Sequence, residues 1–248
     1  MPTIFLSPSL QPYNEYNGGG NEQEYMNKLA DAMIPYLQTN GIQYTRNQLG
    51  TNVGQSIRDS NKGDYDLHLA LHSNAAPESL AGKLQGTDVY YYPNSVFGKR
   101  AADIIAKNFK EIYPKPDLVK AVPTTTIAEV TKTNAPAVLI ETAYHDNAQD
   151  AQWIRTHINE MAASLVKSLT EIFDIPFISP PEQERAGKVT TQSTALNLRS
   201  KPNLHAPIVA KLPRGAVVQV WGQWENWYVV EYNGDVGYAS SDYIMILR

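Results

Sequence analysis

Between Asp174 and Gly187 the chain loses its helical character for good, and that change decides what each side can become. The stretch reads Ile-Pro-Phe-Ile-Ser-Pro-Pro-Glu-Gln-Glu-Arg-Ala-Gly after Asp174. Three prolines and a charge cluster without periodicity make a semi-rigid linker. Upstream, short apolar runs alternate with helical periods. Strands are expected at Ile4–Ser7, Ile42–Arg46, Asp66–His72, Thr87–Tyr92 and Ala137–Glu141. Helices are expected at Asn21–Asn40, Val53–Asn61, Ser95–Ile112 and Ala148–Phe173. In the first helix Met26, Leu29, Ala30, Met33 and Leu37 share one face, Gly41 sits at the C-terminal cap, and Pro35 is expected to kink it. Such alternation implies an α/β domain with a mostly parallel sheet flanked by helices.

From Lys188 onward the helices vanish. Ala216–Trp221, Trp227–Tyr232 and Val236–Ala239 are rich in Val, Tyr and Trp, and Pro-Arg-Gly and Asn-Gly-Asp turns separate them. That pattern belongs to a small all-β barrel. The expected division is therefore residues 1–174, a linker at 175–187, and a barrel at 188–248.

Composition narrows the chemistry. The chain has 248 residues, long enough for two unequal domains. A net charge of −4 supplies no basic field for nucleic acid. The absence of cysteine excludes disulfides, thiolate zinc sites and a cysteine nucleophile, leaving His, Glu, Asp or amide oxygen to hold any metal. No window is apolar enough for a membrane span, and the N-terminus lacks the basic and apolar regions of a signal peptide. The expectation is a protein made without a signal peptide. Nothing in the sequence sets its oligomeric state.

In open α/β sheets working residues gather beyond the carboxyl ends of the strands. Gln11 follows the first strand, His72 ends the third, and Glu141 directly follows the apolar run Ala137-Val-Leu-Ile. A carboxylate in that position is expensive to bury unless paired. At the first helix, Asn21 reads as an N-cap and Glu24 completes a capping box. Glu22 has two readings, a metal ligand or an acid favoured by the helix N-terminus. His72 and Glu141 likewise have bland alternatives, a satisfied strand-end histidine and an acid paired with a neighbouring lysine.

Taken in order, Asn21-Glu22 at a helix start, Asp66-Leu-His-Leu-Ala-Leu-His-Ser-Asn-Ala, Gly86-Thr-Asp-Val-Tyr-Tyr-Tyr and Ala135-Pro-Ala-Val-Leu-Ile-Glu-Thr resemble the zinc N-acetylmuramoyl-L-alanine amidases over roughly residues 3–173. Arg58-Asp-Ser-Asn and Asp146-Asn147 belong to the same match. The resemblance implies zinc bound by Glu22 and His72, Glu141 as catalytic acid and base, Asn74 near the substrate, and peptidoglycan as substrate. One departure matters. The family usually carries a zinc-binding histidine in Asp-Pro-Gly-His after its first strand, where this chain has Ser7-Pro8-Ser9-Leu10-Gln11. Gln11, offering an amide oxygen, is the first candidate for third ligand, and His145 the alternative. His68 shares a face with His72 but lies about 13 Å away along extended chain.

The C-terminal part resembles a bacterial SH3-like module through Ala195-Leu-Asn-Leu-Arg-Ser-Lys-Pro, Leu212-Pro-Arg-Gly, Trp227-Tyr-Val-Val and Gly237-Tyr-Ala-Ser-Ser-Asp-Tyr. Such modules generally bind cell-wall peptide, which makes Trp221, Trp227 and Tyr238 candidate contacts; core filling is the alternative for each. A serine hydrolase is the rival enzyme class, but no Gly-x-Ser-x-Gly occurs. The non-enzymatic rival is a wall-binding protein whose amidase domain has lost its metal. The order, catalytic domain then wall binder, is that of phage endolysins, with an exported autolysin as the other setting.

Overall fold

The computed structural model describes residues 1–183 and 185–247. Glu184, within the expected linker, and Arg248, closing the expected barrel, lie outside the described residues. The chain forms two compact units: Thr3–Ile34 with Tyr44–Ile172, and Met1–Pro2 with Pro35–Gln43 and Phe173–Arg248.

The first sheet has six strands, β1 (Thr3–Pro8), β2 (Gln43–Arg46), β3 (Leu67–Asn74), β4 (Thr87–Tyr91), β5 (Val119–Pro123) and β6 (Ala137–Tyr144), in the order β2-β1-β3-β6-β4-β5. The pairs β1·β3, β3·β6 and β4·β5 are parallel; β4·β6 is antiparallel, so the sheet is mixed. Its helices are α1 (Glu22–Thr39), α2 (Val53–Ser60), α3 (Val96–Phe109), the single turn α4 (Ala128–Thr131), α5 (Ala148–Thr156) and α6 (Ile158–Phe173). β1, β3 and β6 are almost wholly buried, as near-continuous apolar runs covered on both faces should be.

Helix α1 begins where Asn21 Oδ1 accepts the Glu24 N–H at 2.9 Å. It runs without a break through Pro35. It stops at Gly41, whose φ of 67° lets its N–H bond Gln38 O and the Ile42 N–H bond Leu37 O. The expected single helix over Ala148–Phe173 is two. Thr156 Oγ1 donates to the Gln152 and Trp153 carbonyls and His157 Nδ1 bonds Trp153 O, which ends α5 before α6 begins. β5 and α4 have no counterpart among the sequence expectations: β5 is short and ends in Pro123, as an edge strand can, and α4 is one turn.

The second sheet is all antiparallel: β7 (Arg185–Val189), β8 (Leu196–Arg199), β9 (Ile208–Leu212), β10 (Val217–Trp224), β11 (Trp227–Tyr232), β12 (Asp235–Ser240) and β13 (Ile244–Ile246). Their order is β13-β7-β10-β11-β12-β8-β9. Asn233 and Gly234, both at positive φ, make the two-residue turn from β11 to β12. Val189, Leu198, Leu212, Val218, Val220 and Val230 belong to one core cluster. A second joins Trp227, Val229 and Tyr238 to Ile178. Part of the expected linker is therefore core: Ile178 exchanges two hydrogen bonds with the Asn40 amide (2.7 and 2.9 Å), and Phe177 stacks on Tyr36.

Gly237 lies where β12 crosses β8; a Cβ there would meet Arg199 O and Leu198 Cγ, each at 2.8 Å. Backbone cannot yield as a side-chain tip can, so Gly237→Ala is expected to destabilise this unit by about 1–3 kcal/mol. Urea denaturation followed by tryptophan fluorescence reads it, and an unshifted midpoint contradicts the packing described.

Candidate active site

Strand β3 carries two histidines on one face with only Ala70 between them. Residues two apart on a strand point the same way, so His68, Ala70 and His72 form a line. Register extends the line sideways: His72 pairs with Glu141 of β6, and Glu141 pairs with Asp88 of β4. An imidazole and two carboxyls thus stand in a row across three adjacent strands.

Two segments enclose His72. One is the loop from β1 to α1, where the Glu22 N–H bonds Asn14 O and brings the first residue of α1 inward. Glu22 is 1% exposed, far from the solvated helix-start acid that a dipole effect alone would need. Its Oε1 accepts from His72 Nδ1 at 2.8 Å and from the Ser73 N–H at 3.3 Å; its Oε2 accepts from Asn14 Nδ2 at 2.5 Å. Glu24 instead pairs with Lys28 on the surface. The other segment is α4. Its Glu129 is 2% exposed, and the small side chain of Ala70 packs in the cluster with Val130 and Leu139 beneath it. Glu129 Oε2 accepts from His72 Nε2 at 3.0 Å, and Oε1 accepts from His68 Nε2 at 3.3 Å and Ser7 Oγ at 2.5 Å.

The charges follow from these contacts. Burial opposes ionisation of Glu129 and Glu22, but hydrogen bonds from the histidines outweigh it, and both acids titrate below the usual carboxylate range. Burial also opposes protonation of His72, yet the two flanking carboxylates raise its pKa well above the ordinary value. Glu141 is the exception. Burial, with Glu22, Asp88 and Glu129 nearby, pushes it up to about 7 despite the attraction of His72, and its Oε2 has no hydrogen-bond partner. Burial raises Asp88 and Tyr90 too.

Of the residues expected from the sequence, Gln11, Glu22, His72 and Glu141 come together. Gln11 Nε2 lies 3.4 Å from His72 Nδ1, while its Oε1 accepts from Tyr13 Oη and Asn14 Nδ2, both at 3.2 Å. To present its oxygen beside His72 the amide must rotate. His145 belongs to a neighbouring cluster: Nδ1 is within 3.0 Å of Ser73 Oγ and O, and the ring stacks on Tyr16. No hydrogen bond among the described residues joins it to Glu22 or His72. Asn74 Oδ1 accepts its neighbour's Ala75 N–H. Among the described residues no three His, Asp or Glu side chains converge as a metal-binding group.

The aromatic expectations divide. Tyr238 is fully buried, so its ring is core and not a wall contact; Val229 and Trp227 occupy the space around it. Trp221 packs against the same cluster and donates from Nε1 to Glu231 Oε2 at 3.1 Å. Trp227, though mostly buried, borders a cleft of about 690 Å³ with Thr190, Thr194, Asn197, Asp242 and Tyr243. The residue that the sequence reading missed is Glu129. Its only trace is indirect: two buried histidines on one face need an acceptor, and one acid lies in the otherwise uncharged run Thr124–Val130.

Comparison with known proteins agrees with this fold. A family model described as N-acetylmuramoyl-L-alanine amidase matches residues 12–171, and one described as bacterial SH3 domain matches residues 194–245. The chain is similar in structure to the N-acetylmuramoyl-L-alanine amidase AmiC2 of Nostoc punctiforme, with a TM-score of 0.62, 16% identity, and coverage of 70% of this chain and 97% of that one. It is also similar to the catalytic domain of the CD27L endolysin targeting Clostridia difficile, at TM-score 0.59, 20% identity, and coverage of 69% and 98%. Bacteriocin BCN5 of Clostridium perfringens is 26% identical over 118 residues, a match spanning 46% of this chain and 13% of that protein.

The raised pKa of Glu141 sets a slope in stability. Between its ordinary value of 4.5 and about 7 the folded chain holds a proton that the unfolded chain releases. Unfolding is therefore favoured as pH rises through that window, by on the order of 3 kcal/mol in all. In chelator-treated protein, Glu141→Gln is expected to match wild type near pH 4.5 and exceed it in Tm by several degrees at pH 8. An equal Tm difference at both pH values contradicts this.

Proposed function

We propose, since the chain belongs to the N-acetylmuramoyl-L-alanine amidase family, that it hydrolyses the amide bond between the lactyl group of N-acetylmuramic acid and L-alanine in peptidoglycan. The observation that carries this reading is Glu141: a carboxyl within β6, beside His72 of β3, with a free Oε2 and a pKa near neutrality. A group so poised can both take and return a proton at neutral pH. Glu141 Oε2 accepts the proton of the attacking water and delivers it to the leaving nitrogen of L-alanine. Burial, with the negative charges of Glu22, Asp88 and Glu129 nearby, keeps that carboxyl from ionising too early.

The donor set fits zinc with one soft point. Glu22 Oε1 and His72 Nδ1 come from separate segments and lie 2.8 Å apart, a carboxylate and an imidazole that zinc accepts. Gln11 would be the third ligand after its amide turns, a weaker donor than the family's histidine. Bound there, zinc would supply Lewis acidity at the scissile carbonyl. The chain's own residues orient the substrate and move the proton. The cleft beside Trp227 and Tyr243 is the surface through which the second unit grips wall peptide, and the place of action is the bacterial cell wall, whether reached as an endolysin or an autolysin.

A second reading has one observation in its favour. The lack of three converging His, Asp or Glu side chains among the described residues suits a wall-binding protein with a lapsed metal site.

Glu141→Gln separates the two. It is expected to keep bound zinc and lower release of L-alanine-terminated peptides from peptidoglycan by at least ~100-fold. Wild-type protein that digests no peptidoglycan with zinc supplied would favour the binder.

The third ligand has its own check: Gln11→Ala should weaken zinc binding and His145→Ala should leave it unchanged. The reverse pattern in a zinc competition titration would transfer the role to His145.

A further inference from the structure

We propose that Glu129 is the positioning residue of the site: it holds His72 by its Nε2–H and so reserves Nδ1 as the nitrogen that faces Glu22 and the substrate side. The inference rests on the amidase reading for its purpose, but not for its geometry. His72 has two ring nitrogens and a carboxylate at each, Glu22 at Nδ1 and Glu129 at Nε2. The two sides are unlike. Around Glu129 everything is closed: His68 is fully buried, and Ser7 Oγ, itself bonded to Ser56 Oγ and Asn47 Nδ2, occupies Oε1 together with His68. His68 is anchored in turn through Nδ1 to Ser60 Oγ at 2.9 Å. The Nδ1 side opens toward Gln11 and Tyr13, whose ring is 74% exposed.

An ionised carboxylate can only accept, so the nitrogen that faces Glu129 must carry hydrogen. Glu129 is fixed by two other groups, His68 and Ser7, and has no freedom to turn away. With Nε2–H held on Glu129, Nδ1 is the nitrogen left facing Glu22 Oε1, 2.8 Å away. Histidines that bind metals commonly donate their other N–H to such a carboxylate, and removing that partner weakens binding by about 10–100-fold. In this chain the support carries more weight than usual, because Leu10 stands where the family has its first histidine and His72 is the one imidazole in the cluster facing Glu22.

The test uses the full chain with ¹⁵N-labelled histidine. In metal-free wild type, a slowly exchanging Nε2–H resonance of His72 is expected. With ¹¹³Cd added, metal coupling should appear at His72 Nδ1 alone. Glu129→Gln preserves volume but cannot accept from both histidines, and should broaden the Nε2–H signal and weaken zinc binding by about 10–100-fold. Val130→Ala, a neighbouring core truncation, should lower stability without moving either readout. Coupling at Nε2, an absent Nε2–H signal in wild type, or wild-type zinc affinity in Glu129→Gln would overturn the proposal. If wild type binds no metal at all but shows the Nε2–H signal, and loses it in Glu129→Gln, the positioning role stands and the zinc reading fails.

Discussion

A charge taken out of water must find a partner, and in this protein that rule organises the whole carboxyl end of β3. Two acids and two histidines are buried within a few residues of sheet, an arrangement that would unfold the region if any charge stood alone. Each carboxylate of Glu22 and Glu129 is met by at least two donors, and His72 sits between them. The polar cluster is built from a loop, a helix start, a strand and a single helical turn, so it pins together pieces far apart in sequence. Glu141 has an oxygen without a hydrogen-bond partner, and burial, with Glu22, Asp88 and Glu129 nearby, shifts its proton affinity into the useful range. Active sites hold such local imbalances because the rest of the fold is stable enough to carry them.

Strand order explains why these residues meet. Because β6 lies between β3 and β4, Glu141 has His72 on one side and Asp88 on the other. The antiparallel entry of β4 matters here: it aligns Asp88, near the start of its strand, with Glu141 in the second half of β6. An all-parallel sheet would place the end of β4 there instead.

Much of this was legible from residue pattern. The stripe Met26, Leu29, Ala30, Met33 and Leu37 marked α1, its glycine stop was where Gly41 stands, and the alternation of strands and helices gave the α/β class. What local pattern could not supply was anything decided by tertiary contact. α4 is too short for a periodic signal, and nothing in the local pattern singles out Glu129. Nothing in the composition of Ala148–Phe173 distinguishes one helix from two; Thr156 decides it by bonding its own backbone. Tyr238 had two readings, wall contact or core, because a small barrel needs large side chains both inside and out, and its neighbours assign it to the core.

The double hydrogen bond between Asn40 and Ile178 has a consequence for the time course of synthesis. The two residues are 138 positions apart, and the amide of Asn40 stands in for a neighbouring strand to the backbone of Ile178. At a ribosomal pace of about 5–20 residues per second, Asn40 is synthesised roughly 7–28 s before its partner. For that interval the end of α1 offers water an open apolar shelf, with Gly41 and Ile42 beside it. The unit that finally covers the shelf joins Pro35–Gln43 to the stretch from Phe173 onward, so it cannot close until those later residues have been made.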